Sequence, residues 1–130
     1  MDRWKSFFTI AAIYHVGVGI GLAVFARQVL GALNFAPELY AFSFHVLLFR
    51  ILGLASLAFG VGYYFVSRAP AQNVDLVKVA LIFKLGVVAI CAYYALRGEF
   101  LLFLAVVALV NDLIWIPFLA WFAMTARHSQ

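Results

Sequence analysis

Ionisable side chains lie inside long apolar stretches of this sequence, among them His15, Arg50, Lys84 and Asp112. Side chains of these types hold anions, pass protons or form buried ion pairs when they meet inside a protein. An isolated charge in hydrocarbon costs from about 3 to more than 10 kcal/mol. Because the short carboxylate of Asp112 cannot reach an interface, we expect it to pair with Arg50, Lys84 or both.

The stretch "VNDLIWIPF", residues 110–118, adds further polar groups beside that carboxylate. Asn111 is its neighbour, and Trp115 lies one turn later on nearly the same helical face, where its indole N–H can donate into a site. Pro117 cannot donate to the carbonyl of Leu113, which predicts a free acceptor and a kink. We interpret this stretch as one wall of a polar pocket.

A charge count indicates what that pocket binds. Arg50 keeps its proton and Asp112 beside it stays ionised, so Lys84 is the surplus cation. Either burial leaves Lys84 neutral, or a second anion completes the site. The sequence therefore predicts a site for a small anionic or amphipathic molecule, quinone-like or lipid-like, formed by His15, Arg50, Lys84, Asn111, Asp112 and Trp115. We expect no metal ion and no cofactor.

The composition indicates that the surrounding elements lie in lipid. Of 130 residues, 68% are hydrophobic and 11% are charged, and the mean hydropathy is +1.09. A soluble domain is about a quarter charged and about half apolar. The net charge of +4 comes from scattered bases without a basic stripe, so membrane lipids rather than nucleic acid are the expected partners. The single Cys91 excludes an internal disulfide.

The apolar segments are long enough for transmembrane helices. A helix must have about 20 apolar residues to cross a hydrocarbon core roughly 30 Å thick. Four segments qualify, at about 6–26, 40–66, 74–96 and 100–124. They predict an all-α fold, with residues 1–130 forming a single transmembrane domain built as an up-down-up-down four-helix bundle. Gly98 suits the end of the third helix and a tight hairpin to the fourth.

The distribution of lysine and arginine predicts the orientation of these spans. With the N-terminus in the cytoplasm, the outer side holds Arg27 and Arg97, whereas the inner side holds Arg3, Lys5, Arg68, Lys78 and Arg127. This imbalance favours a multi-pass protein of the bacterial inner membrane with both termini cytoplasmic.

The same spans predict the depth of the ionisable groups. At 1.5 Å per residue, they place His15, Arg50, Lys84 and Asp112 about 12 to 16 Å above the inner surface. The sequence therefore predicts one polar layer to which each helix contributes a side chain.

Small residues in the first span predict helix contacts. Ala11, Ala12 and Gly19 lie on the same face as the histidine, one turn to either side, so a neighbouring helix can approach closely there. Gly17 and Gly21 form an adjacent pair that is typical of helix association. These stripes make a homodimer a candidate assembly.

The segments "AAIYHVGVGIGLAVFA", "FRILGLASLAFGVGYYFVSRAP", "LIFKLG" and "VNDLIWIPF" occur in an order that resembles a family of small bacterial four-helix membrane proteins of the DoxX type. The Asn-Asp-Leu-Ile-Trp run, residues 111–115, is the most specific part of the resemblance, which covers almost the whole chain. Members often have Asn where this chain has His15, and Gly where it has Phe83. The resemblance implies no particular activity, and it implies a site formed by Arg50, Lys84, Asn111, Asp112 and Trp115.

Four functions remain open at this point. The first is a non-enzymatic module whose midplane pocket binds the anionic or amphipathic molecule. The second is a scaffold or subunit in which buried ion pairs only set helix packing, and the third is a carrier of protons, ions or small solutes. The fourth is an intramembrane enzyme with Lys84 or His15 as the base, for which the sequence contains no recognisable nucleophile–base–orienter triad.

Overall fold

The computed structural model describes residues 2–32, 37, 41, 43–98 and 111–126. Its helices are α1 (Asp2–Ala32), α2 (Ser43–Arg68), α3 (Val74–Leu96) and α4 (Ile116–Ala126). These described ranges contain no strand, so the predicted all-α class is confirmed for them. Two of the helices, α1 and α2 from Phe44 onward, are long and apolar enough to cross a membrane, by length and composition.

The helix bounds agree with the predicted spans to different degrees. α3 covers the predicted 74–96. α1 extends past both ends of the predicted 6–26, because Arg27 and Gln28 do not stop a helix and no proline precedes Ala32. α2 ends at Arg68, since Pro70 disfavours helical backbone in the residue before it. Of the predicted fourth span, residues 100–110 lie outside the described residues.

The chain divides into two compact units, Met1–Pro70 and Ala71–Gln130. The first unit contains α1 and α2, which pack against each other along much of their length. The second unit contains α3 and α4, which also contact each other. Each unit therefore holds one helix pair whose internal geometry positions the candidate residues.

In the first unit, glycines bring the backbones of α1 and α2 into contact. A Cβ atom on Gly19 would lie 2.6 Å from the backbone nitrogen of Leu57, and one on Gly60 would lie 2.8 Å from the backbone nitrogen of Val16. No side chain fits at these two positions. The close approach of the two helices therefore requires glycine there.

The register of this hairpin follows from the same contacts. A Cβ on Gly53 would strike the backbone nitrogen of Ala23, so Ala23 lies opposite Gly53 just as Val16 lies opposite Gly60. Each residue forward along α1 is matched by one residue backward along α2. The two helices are therefore antiparallel neighbours. The predicted close approach at Gly19 is confirmed.

The other predicted small-residue pair of α1 takes no part in this packing. A Cβ on Gly17 would meet none of the described atoms within 4 Å, and one on Gly21 would approach the side chain of Val29 at 3.8 Å. Beyond this point α1 bends at Phe25, which has non-helical angles of φ −109° and ψ 30°. Gly17 therefore leaves open space beside the helix contact.

In the second unit, α3 ends in the predicted glycine cap. Gly98 has a φ of 68°, and its N–H donates to the carbonyl of Ala95 at 3.1 Å. This left-handed conformation is the one that glycine adopts without strain at a helix end. The predicted hairpin to the next helix runs through residues 99–110, which lie outside the described residues.

Candidate functional site

An ion pair between Lys84 and Asp112 forms the centre of the candidate site in the second unit. Lys84 Nζ donates to Asp112 Oδ1 at 2.7 Å, and the two residues are 1% and 7% exposed. Exclusion of water strengthens the attraction and also makes either charge costly when it stands alone. The sequence left Arg50, Lys84 or both as partners of Asp112, and the structure pairs it with Lys84.

The buried stripe of α3 positions the lysine. Its buried members include Val77, Ala80, Lys84 and Cys91. Their spacing of three, four and seven residues puts them on one face of the helix. A lysine in the middle of that face cannot keep its ammonium in water, so it requires a carboxylate on the neighbouring segment.

A break in the last helix positions the carboxylate. Residues 111–113 are helical, residues 114 and 115 form a turn, and α4 begins at Ile116. The N–H of Trp115 donates to the carbonyl of Asp112 at 3.2 Å, so the chain tightens directly after the carboxylate. Pro117 lies in the first turn of α4, where its missing N–H costs nothing. The predicted kink therefore takes the form of this break.

Asn111 and Trp115 lie on either side of the carboxylate in sequence. Asn111 Nδ2 donates to Asp112 Oδ1 over 3.5 Å, which is a long and weak hydrogen bond. Trp115 is 9% exposed and so lies buried at the break. The structure thus joins Lys84, Asn111 and Asp112 directly, with Trp115 one turn away.

His15 lies in the first unit and is 1% exposed. Its Nδ1 is 2.9 Å from the carbonyl of Ala11, and because a carbonyl only accepts, Nδ1 carries a proton. The ring packs edge-on against Tyr63, with centroids 5.0 Å apart. Ser56 Oγ donates to the backbone oxygen of His15 at 3.0 Å. These contacts make His15 part of the packing between α1 and α2.

Arg50 does not share a level with His15. By the register of the hairpin, His15 lies opposite residue 61, which is eleven residues from Arg50, or about 16 Å along the helix. The predicted polar layer is therefore wrong for this pair. The predicted depths were measured from the polar ends of the spans, whereas the glycine contacts determine how far the two helices overlap.

The carboxylate that the charge count assigned to Arg50 is paired with Lys84, so Lys84 is not a surplus cation. Asp112 compensates the charge of Lys84, whereas Arg50 is exposed. Among the described residues of the first unit, Asp2 is the only carboxylate, and it lies 3.6 Å from Lys5 at the far end of α1. Among the described residues of the first unit, Arg50 is therefore one of the arginines that form no ion pair.

Arg27 lies on α1 beyond the bend at Phe25. The glycine contacts align α1 with α2 only as far as Ala23, so they do not determine the level of Arg27. Arg27 is exposed as well.

Comparison of the chain with known proteins identified no relative. No family model matches the chain, and no curated protein and no solved structure matches it. Function must therefore be inferred from the chemistry of the chain's own residues.

Proposed function

We propose that this protein is a multi-pass inner-membrane protein that binds an anionic amphiphile and catalyses no reaction. The observation that carries the proposal is Arg50, which is exposed on a helix apolar enough to cross a membrane. The described residues of its unit offer it no carboxylate. A cation next to lipid needs an anion, and the anionic groups that a membrane supplies are amphiphiles.

The lengths of the uncharged segments support a placement of Arg50 at the membrane surface. Residues 6–26 of α1 and 51–67 of α2 contain no Asp, Glu, Lys or Arg. At 1.5 Å per residue they are about 31 and 26 Å long, close to a hydrocarbon core of roughly 30 Å. Arg27 and Arg50 follow and precede these segments at the same end of the hairpin. On this placement the Arg50 guanidinium lies at headgroup level, where an anionic headgroup is within its reach.

Substitution of Arg50 tests this function. In a neutral detergent, we expect lysophosphatidylglycerol to stabilise the parent more than lysophosphatidylcholine of the same chain length. A ligand at about one hundred times its Kd adds about 2.7 kcal/mol to the free energy of unfolding. Arg50→Gln should lose this difference between the two lipids, as measured by thermal unfolding.

A matched control for that experiment is Arg68→Gln, which removes an exposed arginine from the other end of α2. It should keep most of the preference for the anionic lipid. Equal stabilisation of the parent by both headgroups, or an undiminished preference in Arg50→Gln, would contradict the proposed function.

The topology proposed with this function is the up-down-up-down arrangement of the DoxX type, with both termini cytoplasmic. Gln72 is exposed in the turn between α2 and α3. In a Cys91→Ala background, we expect Gln72→Cys to react with a membrane-impermeant maleimide from the cytoplasmic side only. Arg97→Cys, after α3, should react from the periplasmic side. The reverse labelling would show an inverted topology, and labelling of both from one side would exclude α3 as a span.

A structural subunit is the second candidate function, and the Lys84–Asp112 pair favours it. A direct contact of 2.7 Å requires no third group and sets the register of α3 against the last helix. The same contact weakens the enzyme hypothesis, because the Lys84 ammonium is engaged by a carboxylate. For a purely structural subunit, we expect loss of the ion pair to unfold the protein and anionic amphiphiles to leave its stability unchanged.

A further inference from the structure

The exposed side of α1 carries a seam of β-branched side chains with a glycine at its centre, formed by Ile10, Ile13, Gly17, Ile20 and Val24. The four large members are 45 to 69% exposed, so the described part of the chain leaves them open. They follow one another at intervals of three, four, three and four residues, which is the heptad spacing that keeps one helix face against a second helix. The whole seam precedes the bend at Phe25 and therefore lies on one uninterrupted helix.

The side chains of this seam differ from those on the apolar surface of α2. β-branched side chains have already lost most of their χ1 freedom on a helix, so they lose little more when they pack against a neighbour. The exposed apolar residues of α2 are mainly leucine and aromatic and include Phe44, Leu48, Leu52, Leu54 and Phe65. The composition of the seam therefore favours contact with another helix.

Gly17 lies at the middle of the seam and at the edge of an open apolar groove. A Cβ on Gly17 would meet none of the described atoms within 4 Å, so packing of α1 against α2 does not explain this glycine as it explains Gly19. A missing side chain at the centre of a seam lets the backbone of a second helix approach closely. The groove, of about 500 Å³, is lined in part by Ile13, Gly17 and Val61. It provides room for side chains of that second helix.

The charges that precede the seam are complementary between two parallel copies of the chain. Consecutive residues lie about 100° apart on a helix, so Asp2 and Arg3 fall on opposite flanks of the seam where it continues through Ser6. When two parallel helices join about a twofold axis, opposite flanks meet, which brings Asp2 of each copy beside Arg3 of the other. Both residues are exposed, and among the described residues Arg3 forms no ion pair.

We infer that α1 docks on α1 of a second copy of this chain, in a parallel homodimer joined along the seam. The inference uses the proposed membrane placement, because copies inserted in the same direction lie parallel with equal residue numbers at one level. It does not involve Arg50. In lipid, helices associate through close packing rather than hydrophobic burial, and Gly17 with its stiff neighbours provides that packing. The exposed pairs of Asp2 with Arg3 contribute little energy and favour the parallel orientation.

Disulfide cross-linking in membranes of the expression host tests which face of α1 meets the second copy. In a full-length Cys91→Ala background, we expect Ile13→Cys and Ile20→Cys to form disulfide-linked homodimers on mild oxidation. Tyr14→Cys is the matched control, because Tyr14 is exposed at the depth of Ile13 but lies off the seam. It should give several-fold less dimer. Because random encounters decrease with dilution by lipid, the comparison is repeated after reconstitution at low protein density.

A side chain at the centre of the seam provides a second test. In the Ile20→Cys protein, Gly17→Leu should lower the yield of dimer about tenfold, since it separates two backbones that meet at this glycine. Gly62→Leu adds the same volume at a glycine of α2 that also has no described neighbour within 4 Å, and it should keep the yield of the parent. Both variants should retain the packing of α1 against α2, because neither Cβ meets a described atom.

The outcomes separate this inference from the proposed function. Equal cross-linking of Ile13→Cys and Tyr14→Cys, or an unchanged yield in Gly17→Leu, would show that lipid covers the seam, and the inference fails. A linked product whose mass shows a different protein also overturns it. In either case a preference for anionic lipid that depends on Arg50 leaves the proposed function standing. If both proposals hold, Arg50→Gln should still form the dimer and Gly17→Leu should still prefer the anionic lipid.

Discussion

Asp112→Ala is expected to lower the free energy of unfolding by about 3 to 5 kcal/mol, as removal of one partner of a buried ion pair does. Lys84 is 1% exposed and its ammonium lies 2.7 Å from the Asp112 carboxylate. Without that carboxylate the ammonium remains in a region that water does not reach. Thermal unfolding in neutral detergent measures the effect as a loss in midpoint temperature.

Two further variants give this prediction its controls. Asp75→Asn removes the carboxylate of an exposed pair on α3, 2.6 Å from Lys78, and we expect little change, since exposed pairs contribute little. The double variant Lys84→Met/Asp112→Leu removes both buried charges and should recover most of the lost stability. Equal midpoint shifts for Asp112→Ala and Asp75→Asn would mean that the buried pair does not hold the second unit together.

Gly53→Val should destabilise the first unit by about 3 kcal/mol or more, at the upper end of the cost of overpacking. A Cβ on Gly53 would strike the backbone nitrogen of Ala23 and lie 2.8 Å from the carbonyl carbon of Leu22. Backbone atoms of a helix cannot rotate away as a side chain does, so the two helices must separate. We expect a lower unfolding midpoint and loss of any cross-link engineered between α1 and α2.

The matched control for Gly53→Val lies on the same helix. A Cβ on Gly62 would meet none of the described atoms within 4 Å, so Gly62→Ala should be neutral or stabilising by up to about 1 kcal/mol, the difference in helix propensity. A Gly53→Val protein as stable as the parent would show that the helices do not approach at these glycines.

Residues that the sequence analysis placed in one site have different roles in the two helix pairs. Lys84 and Asp112 neutralise each other and set the packing of the second unit. Arg50 lies about 16 Å along the hairpin from the level of His15 and forms no ion pair with the described residues of its unit. The binding hypothesis therefore depends on Arg50, while the structural hypothesis depends on the ion pair.

Composition and local pattern sufficed for the helical class, for the bounds of α3 and for one half of the site. Long apolar segments predict helices because their backbones must bond internally in lipid, and α3 spans the predicted 74–96. Gly98 predicted the end of α3 because its left-handed conformation strains other residues. A carboxylate on an apolar helix required a cationic partner, which narrowed the choice for Asp112 to Arg50 and Lys84.

The register of α1 against α2 was decided by the tertiary structure alone. Hydropathy changes gradually at the ends of a helix, so it cannot determine to within one helical turn how far two neighbouring helices overlap. Contacts at Gly19, Gly53 and Gly60 determine that overlap, because the two backbones approach closely at these positions. Whether two distant polar residues share a level depends on this overlap, which is why the separation of His15 from Arg50 became visible only in the folded hairpin.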